Sequence, residues 1–116
     1  MTSILTTIKK MLGLEEDYTE FDTDIIVLIN SALMTLTQLG IGPSSGFLIT
    51  SAEATWTSFL GASTELEGVK TYIYLKIRLV FDPPTSASVL EAIKEHLAEL
   101  EVRLNIQAET PISGLE

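Results

Sequence analysis

Tyr72-Ile-Tyr-Leu-Lys-Ile-Arg-Leu-Val-Phe-Asp-Pro-Pro-Thr85 is the stretch whose reading decides the fold. Ile73, Leu75, Ile77, Leu79 and Phe81 alternate with Tyr72, Tyr74, Lys76 and Arg78, and a period of two reads as a strand. The same region extended backwards gives Leu66, Val69, Ile73, Ile77 and Val80, which fall at helical spacing. No turn signal interrupts residues 65–81, and a lone strand among helices has no partner to pair with. The reading is therefore a helix over about 65–81. It stops at a hard boundary, because Pro83 drives Asp82 out of helical geometry and Pro84 does the same to Pro83. Thr85 or Ser86 then serves as an N-cap, with Ser88-x-x-Glu91 as a rival capping box. Val89, Ile93, Leu97, Leu100 and Leu104 predict a helix to about residue 106, with Glu99 and Arg103 paired at i,i+4.

Working towards the N-terminus, Ile4, Leu5, Ile8, Met11 and Leu12 predict a short amphipathic helix ended by Gly13. Six acids follow: Glu15, Glu16, Asp17, Glu20, Asp22 and Asp24. Asp22 is expected as the N-cap of the next helix, with Phe21 packing on Ile26 as a hydrophobic staple. That helix carries Ile25, Ile29, Leu33, Leu36 and Leu39 on one stripe. Ile26, Val27, Leu28 and Met34 widen the stripe, so burial on more than one side is expected. Gly40–Gly46 reads as a loop and Phe47–Thr50 as a brief extended piece. Thr50-x-x-Glu53 has capping-box spacing for a short helix with Trp56, Phe59 and Leu60, ended by Gly61. Thr64-x-x-Glu67 repeats that signal. The expected architecture is all-α: a small bundle of four to five helices over residues 1–106, with a flexible C-terminal tail over 107–116.

The chain of 116 residues has room for one core, and its composition (46% hydrophobic, 20% charged) is that of a folded domain. A mean hydropathy of +0.32 is high for a small domain and favours burial against partner chains. No apolar run reaches the roughly 18–20 residues a bilayer requires, so no membrane association is expected. Lys9 and Lys10 follow the first apolar residues instead of preceding them, which is the wrong order for an export signal, and synthesis in the cytoplasm is expected. A net charge of −9 disfavours a protein that grips phosphates, though not one that surrounds DNA without holding it. The absence of cysteine removes disulfides, thiolate metal sites and thiol nucleophiles.

Catalytic constellations fail on context. Gly42-Pro43-Ser44-Ser45-Gly46 matches G-x-S-x-G, and Asp82 and His96 follow in hydrolase order. A nucleophile elbow needs a buried strand before the serine and a helix directly after it, whereas here a helix precedes and Phe47-Leu-Ile follows. His96 is the only histidine and has no second imidazole to complete a two-His metal site. Asp22 and Asp24 begin an Asp-x-Asp pair, but the glycine and closing glutamate of a calcium loop are missing. No enzyme, cofactor or metal site is expected. Tyr72, Tyr74, Lys76 and Arg78 form a basic and aromatic group of the kind found at subunit interfaces, although the tyrosines also suit core packing. Pro83 and Pro84 at the corner, and Pro111 and Ile112 in the tail, are further interface candidates.

Val69-Lys-Thr-Tyr-Ile-Tyr-Leu-Lys-Ile-Arg-Leu-Val-Phe-Asp-Pro-Pro-Thr85 resembles the head-tail connector (head completion adaptor) proteins of long-tailed phages and prophages. Ile8-Lys-Lys-Met-Leu-Gly-Leu-Glu15 is similar to that family's opening helix. Asp22-Thr-Asp-Ile-Ile26, Gln38-Leu-Gly-Ile-Gly-Pro43, Thr55-Trp56 and Phe59-Leu60 resemble its middle, and Ala98-Glu-Leu-Glu-Val-Arg-Leu-Asn105 its final helix. The similarity covers about residues 3–108. The resemblance implies a structural adaptor at the virion head-tail interface. Its copies would form a homo-oligomeric ring beneath the portal protein, matching portal symmetry, pass DNA through the hole without specific binding, and offer a surface to a stopper or tail-completion protein. The competing class is a small acidic all-α binding module that regulates or inhibits a host protein.

Overall fold

The computed structural model describes residues 3–61 and 66–109, and among them five helices and no strands are found: α1 (Ile4–Met11), α2 (Asp22–Gln38), α3 (Trp56–Leu60), α4 (Leu66–Phe81) and α5 (Ala87–Glu109). The decisive stretch is helical. Val69, Tyr72, Ile73 and Ile77 are fully buried along α4, which packs against α1 and α2 on one side and α5 on the other. A helix buried on several sides explains the alternation: Leu75 and Leu79 are apolar because a second neighbour covers them, not because the backbone is extended.

α1 and α2 end alike. Leu14 N–H bonds to the Lys9 carbonyl at 2.9 Å and Gly13 N–H to Lys10 at 3.0 Å; Ile41 N–H bonds to Leu36 at 2.9 Å and Gly40 N–H to Thr37 at 3.0 Å. This is the Schellman pattern, and it needs the positive φ that Gly13 (85°) and Gly40 (93°) supply. α3 begins at Thr55, whose Oγ1 accepts from Ser58 N–H at 3.1 Å, and not at the Thr50 capping box expected from the sequence. Glu53 N–H instead bonds to Ser51 Oγ, so residues 50–54 turn before the helix starts. Thr64, the start of the second capping box, lies outside the described residues. Trp56 fixes α3 on α1 by donating from Nε1 to Thr7 Oγ1 at 3.0 Å, and Ile4 N–H bonds to the Ala54 carbonyl at 3.0 Å. At the corner, α4 ends at Phe81 and Ser86 caps α5, accepting from Val89 N–H at 3.4 Å. α5 runs to Glu109 instead of about 106.

The start of α2 differs from the sequence expectation. Phe21 occupies the N-cap position without a side-chain bond, and Asp22 is the first helical residue. The Asp22 carboxylate goes to Lys9 instead, with Oδ1 2.9 Å from Nζ, and the buried Oδ1 makes no hydrogen bond to any other group. Lys9 also donates to the Glu16 carbonyl at 2.9 Å. Its side chain is only 3% exposed, so one buried ammonium joins the end of α1, the acidic loop and the start of α2. Phe21 packs edge to face on Phe81 of α4, centroids 5.3 Å apart. A tertiary ion pair and an aromatic contact have displaced the local cap.

Lys9→Ala should cost about 3 kcal/mol in urea or thermal unfolding, because it leaves a buried carboxylate oxygen and a carbonyl unpaired. A loss well under about 1 kcal/mol would show that solvent reaches the pair. Replacing Pro83 and Pro84 together by alanine should lower stability by about 1–2 kcal/mol, mainly by loosening the unfolded chain and the α4–α5 turn. An unchanged melting temperature would show that the corner is held by packing alone.

Candidate functional site

Helical geometry divides the four candidates on α4. Positions two apart on a helix lie about 200° round the axis, whereas positions four apart share a face. Tyr72 and Lys76 therefore form one pair and Tyr74 and Arg78 another, on a different face, so the four are not one cluster.

Tyr72 is fully buried, and its hydroxyl donates to Glu101 Oε2 of α5 at 2.7 Å. Lys76 Nζ lies over the Tyr72 ring, 5.7 Å from its centroid. Burial, then the hydrogen bond and negative charge of Glu101, push the Tyr72 phenol above its ordinary range. Tyr72 thus locks α4 to α5 from inside and presents nothing to a partner. Tyr74 is half-buried against the core, and Arg78 is half-buried in the last turn of α4. Pro83 is exposed and Pro84 half-buried at the corner. Pro111 and Ile112 lie outside the described residues.

The catalytic candidates do not converge. Ser44 is exposed in the loop after α2, Asp82 is exposed after α4, and His96 lies half-exposed on α5 with Nδ1 3.9 Å from Glu99 Oε1. No hydrogen bond joins any two of them. Glu99 pairs more closely with Arg103, at 2.6 Å, as the i,i+4 spacing predicts. Among the described residues no group of three or more His, Asp or Glu side chains could hold a metal ion. Nor is any of their helices long and apolar enough to cross a membrane.

The structure instead draws attention to apolar residues left on the surface. Of the extra apolar positions of α2, Ile26 and Leu28 are half-buried against the core, as the sequence reading expected, whereas Val27 is 62% and Met34 58% exposed. With Thr37, Gln38, Phe47 and the 68%-exposed Leu48, Val27 and Met34 line an open groove of about 730 Å³ that has no ionisable residue in its wall. Asn30 builds the far wall, its amide accepting from Ile49 N–H at 2.8 Å and donating to the Ile49 carbonyl at 2.9 Å. That two-way bond holds residues 47–49 beside α2, while Phe47 rests on Phe59. A second feature is a ridge at the Pro83-Pro84 corner. Tyr18, Phe21 and Phe81 stack edge to face, at 5.9 and 5.3 Å; exposed Val80, one residue before Phe81, shares the Lys76 face of α4 and lines a separate shallow pocket with Leu28 and Ser31 of α2. The sequence signal for the groove was the surplus of apolar residues on α2. Nothing local marked the ridge, because it joins residues about 60 apart in the chain.

The family model described as phage connector protein matches residues 4–111. No curated protein and no solved structure matches.

Tyr72→Phe should cost about 1–2 kcal/mol near neutral pH, since the lost bond ends on a carboxylate. The folded phenol titrates above the unfolded one, so the contribution of Tyr72 is complete below pH of about 10 and declines above it. The stability gap between wild type and Tyr72→Phe should therefore narrow between about pH 10 and 11.5 in denaturant titrations. A gap that stays constant would mean that the hydroxyl is not held protonated.

Proposed function

The chain belongs to the phage connector protein family, and on that premise we propose that it is a head-tail adaptor of a long-tailed phage or prophage. Copies of it form a ring beneath the portal, continue the DNA channel, and offer a docking surface to a stopper or tail-completion protein at the virion head-tail interface. The observation that carries this reading is the ridge at the corner. Tyr18 and Phe21 are exposed in one protomer, stacked towards Phe81 near the rigid Pro83-Pro84 step. Aromatic side chains on a stiff corner are the usual anchors of an interface, and they lose little conformational freedom when covered. Tyr74, Arg78, Pro83 and Pro84 belong to this surface or its margin, whereas Tyr72 and Lys76 support it from within.

A ring needs a heterologous contact, in which one surface of a protomer meets a different surface of the next. The charge suits the channel. With 16 acids against seven bases, the ring makes few attractive phosphate contacts, and DNA moves through without being held.

Electron microscopy of portal rings mixed with this chain should show an added tier, and Tyr18→Asp with Arg78→Glu should weaken its formation by about tenfold or more, the effect of losing one interface anchor. Both positions are at or near the surface, so the variant should keep the wild-type circular dichroism spectrum. A chain that stays monomeric and adds no tier would overturn the adaptor reading; a normal tier from the folded double variant would remove the ridge from the contact.

A further inference from the structure

We propose that the groove along α2 is a docking site for the chain's own C-terminal segment, residues 110–116, bound within the same protomer. The segment lies outside the described residues, and the proposal rests on what the described residues place around it.

First, the end of α5 is tied to the mouth of the groove. Asn105 donates from Nδ2 to the Leu39 carbonyl at 3.1 Å. Leu39 directly follows Gln38, which lines the groove, and α5 ends only four residues later, at Glu109. Second, the lengths agree. From Gln38 to Val27 the groove follows α2 for roughly 16 Å at 1.5 Å per residue. Seven residues in an extended conformation reach about 23 Å, enough to turn off α5 and run along it. Pro111 favours that turn, because it disfavours helical geometry at Thr110.

Third, the chemistry agrees. Thr110-Pro-Ile-Ser-Gly-Leu115 contains no ionisable side chain in a chain of net charge −9, and the one acid of the segment, Glu116, comes after both apolar anchors. The groove wall has none either. Ile112 and Leu115 are the apolar side chains the segment has to offer, and exposed Val27, Met34 and Leu48 are what the groove has to receive them. An acidic segment would be poorly matched to an uncharged apolar wall, because its charges would lose hydration without gaining a partner. The tether raises the local concentration of the segment to about the millimolar range, so two apolar anchors on a short peptide suffice. The groove therefore is covered in the free protomer, and a partner that uses it must first displace the segment.

The chain has no native cysteine, which makes the test direct. A nitroxide placed on Ser113→Cys in isotope-labelled full-length protein should erase the amide peaks of Val27, Met34 and Leu48. Adding Ile112→Asp and Leu115→Asp to the same labelled chain should restore them, with the rest of the spectrum unchanged. Peaks that keep full height beside the nitroxide would overturn the proposal. So would peaks lost only when nitroxide-bearing unlabelled chains are mixed with isotope-labelled chains, which would place the segment in the groove of a second copy. The readout is taken on the protomer without portal, so it stands or falls separately from the adaptor reading.

Discussion

The burial of α4 on several sides is the constraint from which the other elements follow. A helix covered by α1 and α2 on one side and α5 on the other cannot be amphipathic in the simple sense. Its apolar residues are spread round the axis, and a polar group buried among them needs a partner. Tyr72 is the clearest case. A phenol at the centre of the protomer would carry an unsatisfied hydroxyl unless a neighbouring helix supplied an acceptor, and Glu101 does so at 2.7 Å. That bond fixes the register of α5 on α4, and the register places Ile93, Leu97 and Leu104 against the core. The Pro83-Pro84 step is the covalent counterpart of the same requirement. It ends α4 sharply enough for α5 to return along it.

Lys9 performs the equivalent task at the other end of the chain. An ammonium with 3% exposure is costly unless it is both charge-paired and hydrogen-bonded. It has the Asp22 carboxylate and the Glu16 carbonyl, both at 2.9 Å, and α1 also ends beside it. The acidic run of residues 15–24 is best understood from this point. One acid is taken into the structure and the others stay in water, where they keep an apolar chain soluble. A calcium loop would require several of those carboxylates to converge, and the turn built around Lys9 spreads them instead.

How legible the fold was depended on whether the signal was local. The five helices, the glycine stops at Gly13 and Gly61, the corner at Pro83 and the Glu99–Arg103 pair all rest on spacings of four residues or fewer, and they could be read directly. The errors arose where a distant partner overrode a local preference. Asp22 is a good N-cap in isolation, but Lys9 offers its carboxylate a full charge. The Thr50 box had the right spacing, but the Ile4–Ala54 bond holds the chain in a turn until Thr55. The candidate interface residues meet the same limit of local reading. An aromatic and basic group near residue 72 was visible, yet the helix splits it between two faces, and the exposed ridge is assembled from parts about 60 residues apart.

The surplus of apolar residues on α2 illustrates a limit of pattern reading that also has functional weight. A stripe wider than one face says that more than one side will be covered, but periodicity cannot say by what. Within the protomer Ile25, Ile29, Leu33 and Leu36 are covered, while Val27 and Met34 are not. A chain with 16 acids can hold such a face in water as a monomer, because like charge keeps copies apart in solution. The same repulsion means that an adaptor of this kind should assemble poorly by itself and well on a template. A pre-formed portal ring would hold protomers side by side, raise their effective concentration, and let short-range apolar contacts outweigh a repulsion that salt screens within about 8–10 Å. Acidic composition and exposed apolar residues are then not in conflict. The first would keep free protomers apart, and the second would serve assembly where a portal ring brought copies together and the C-terminal segment had left the groove.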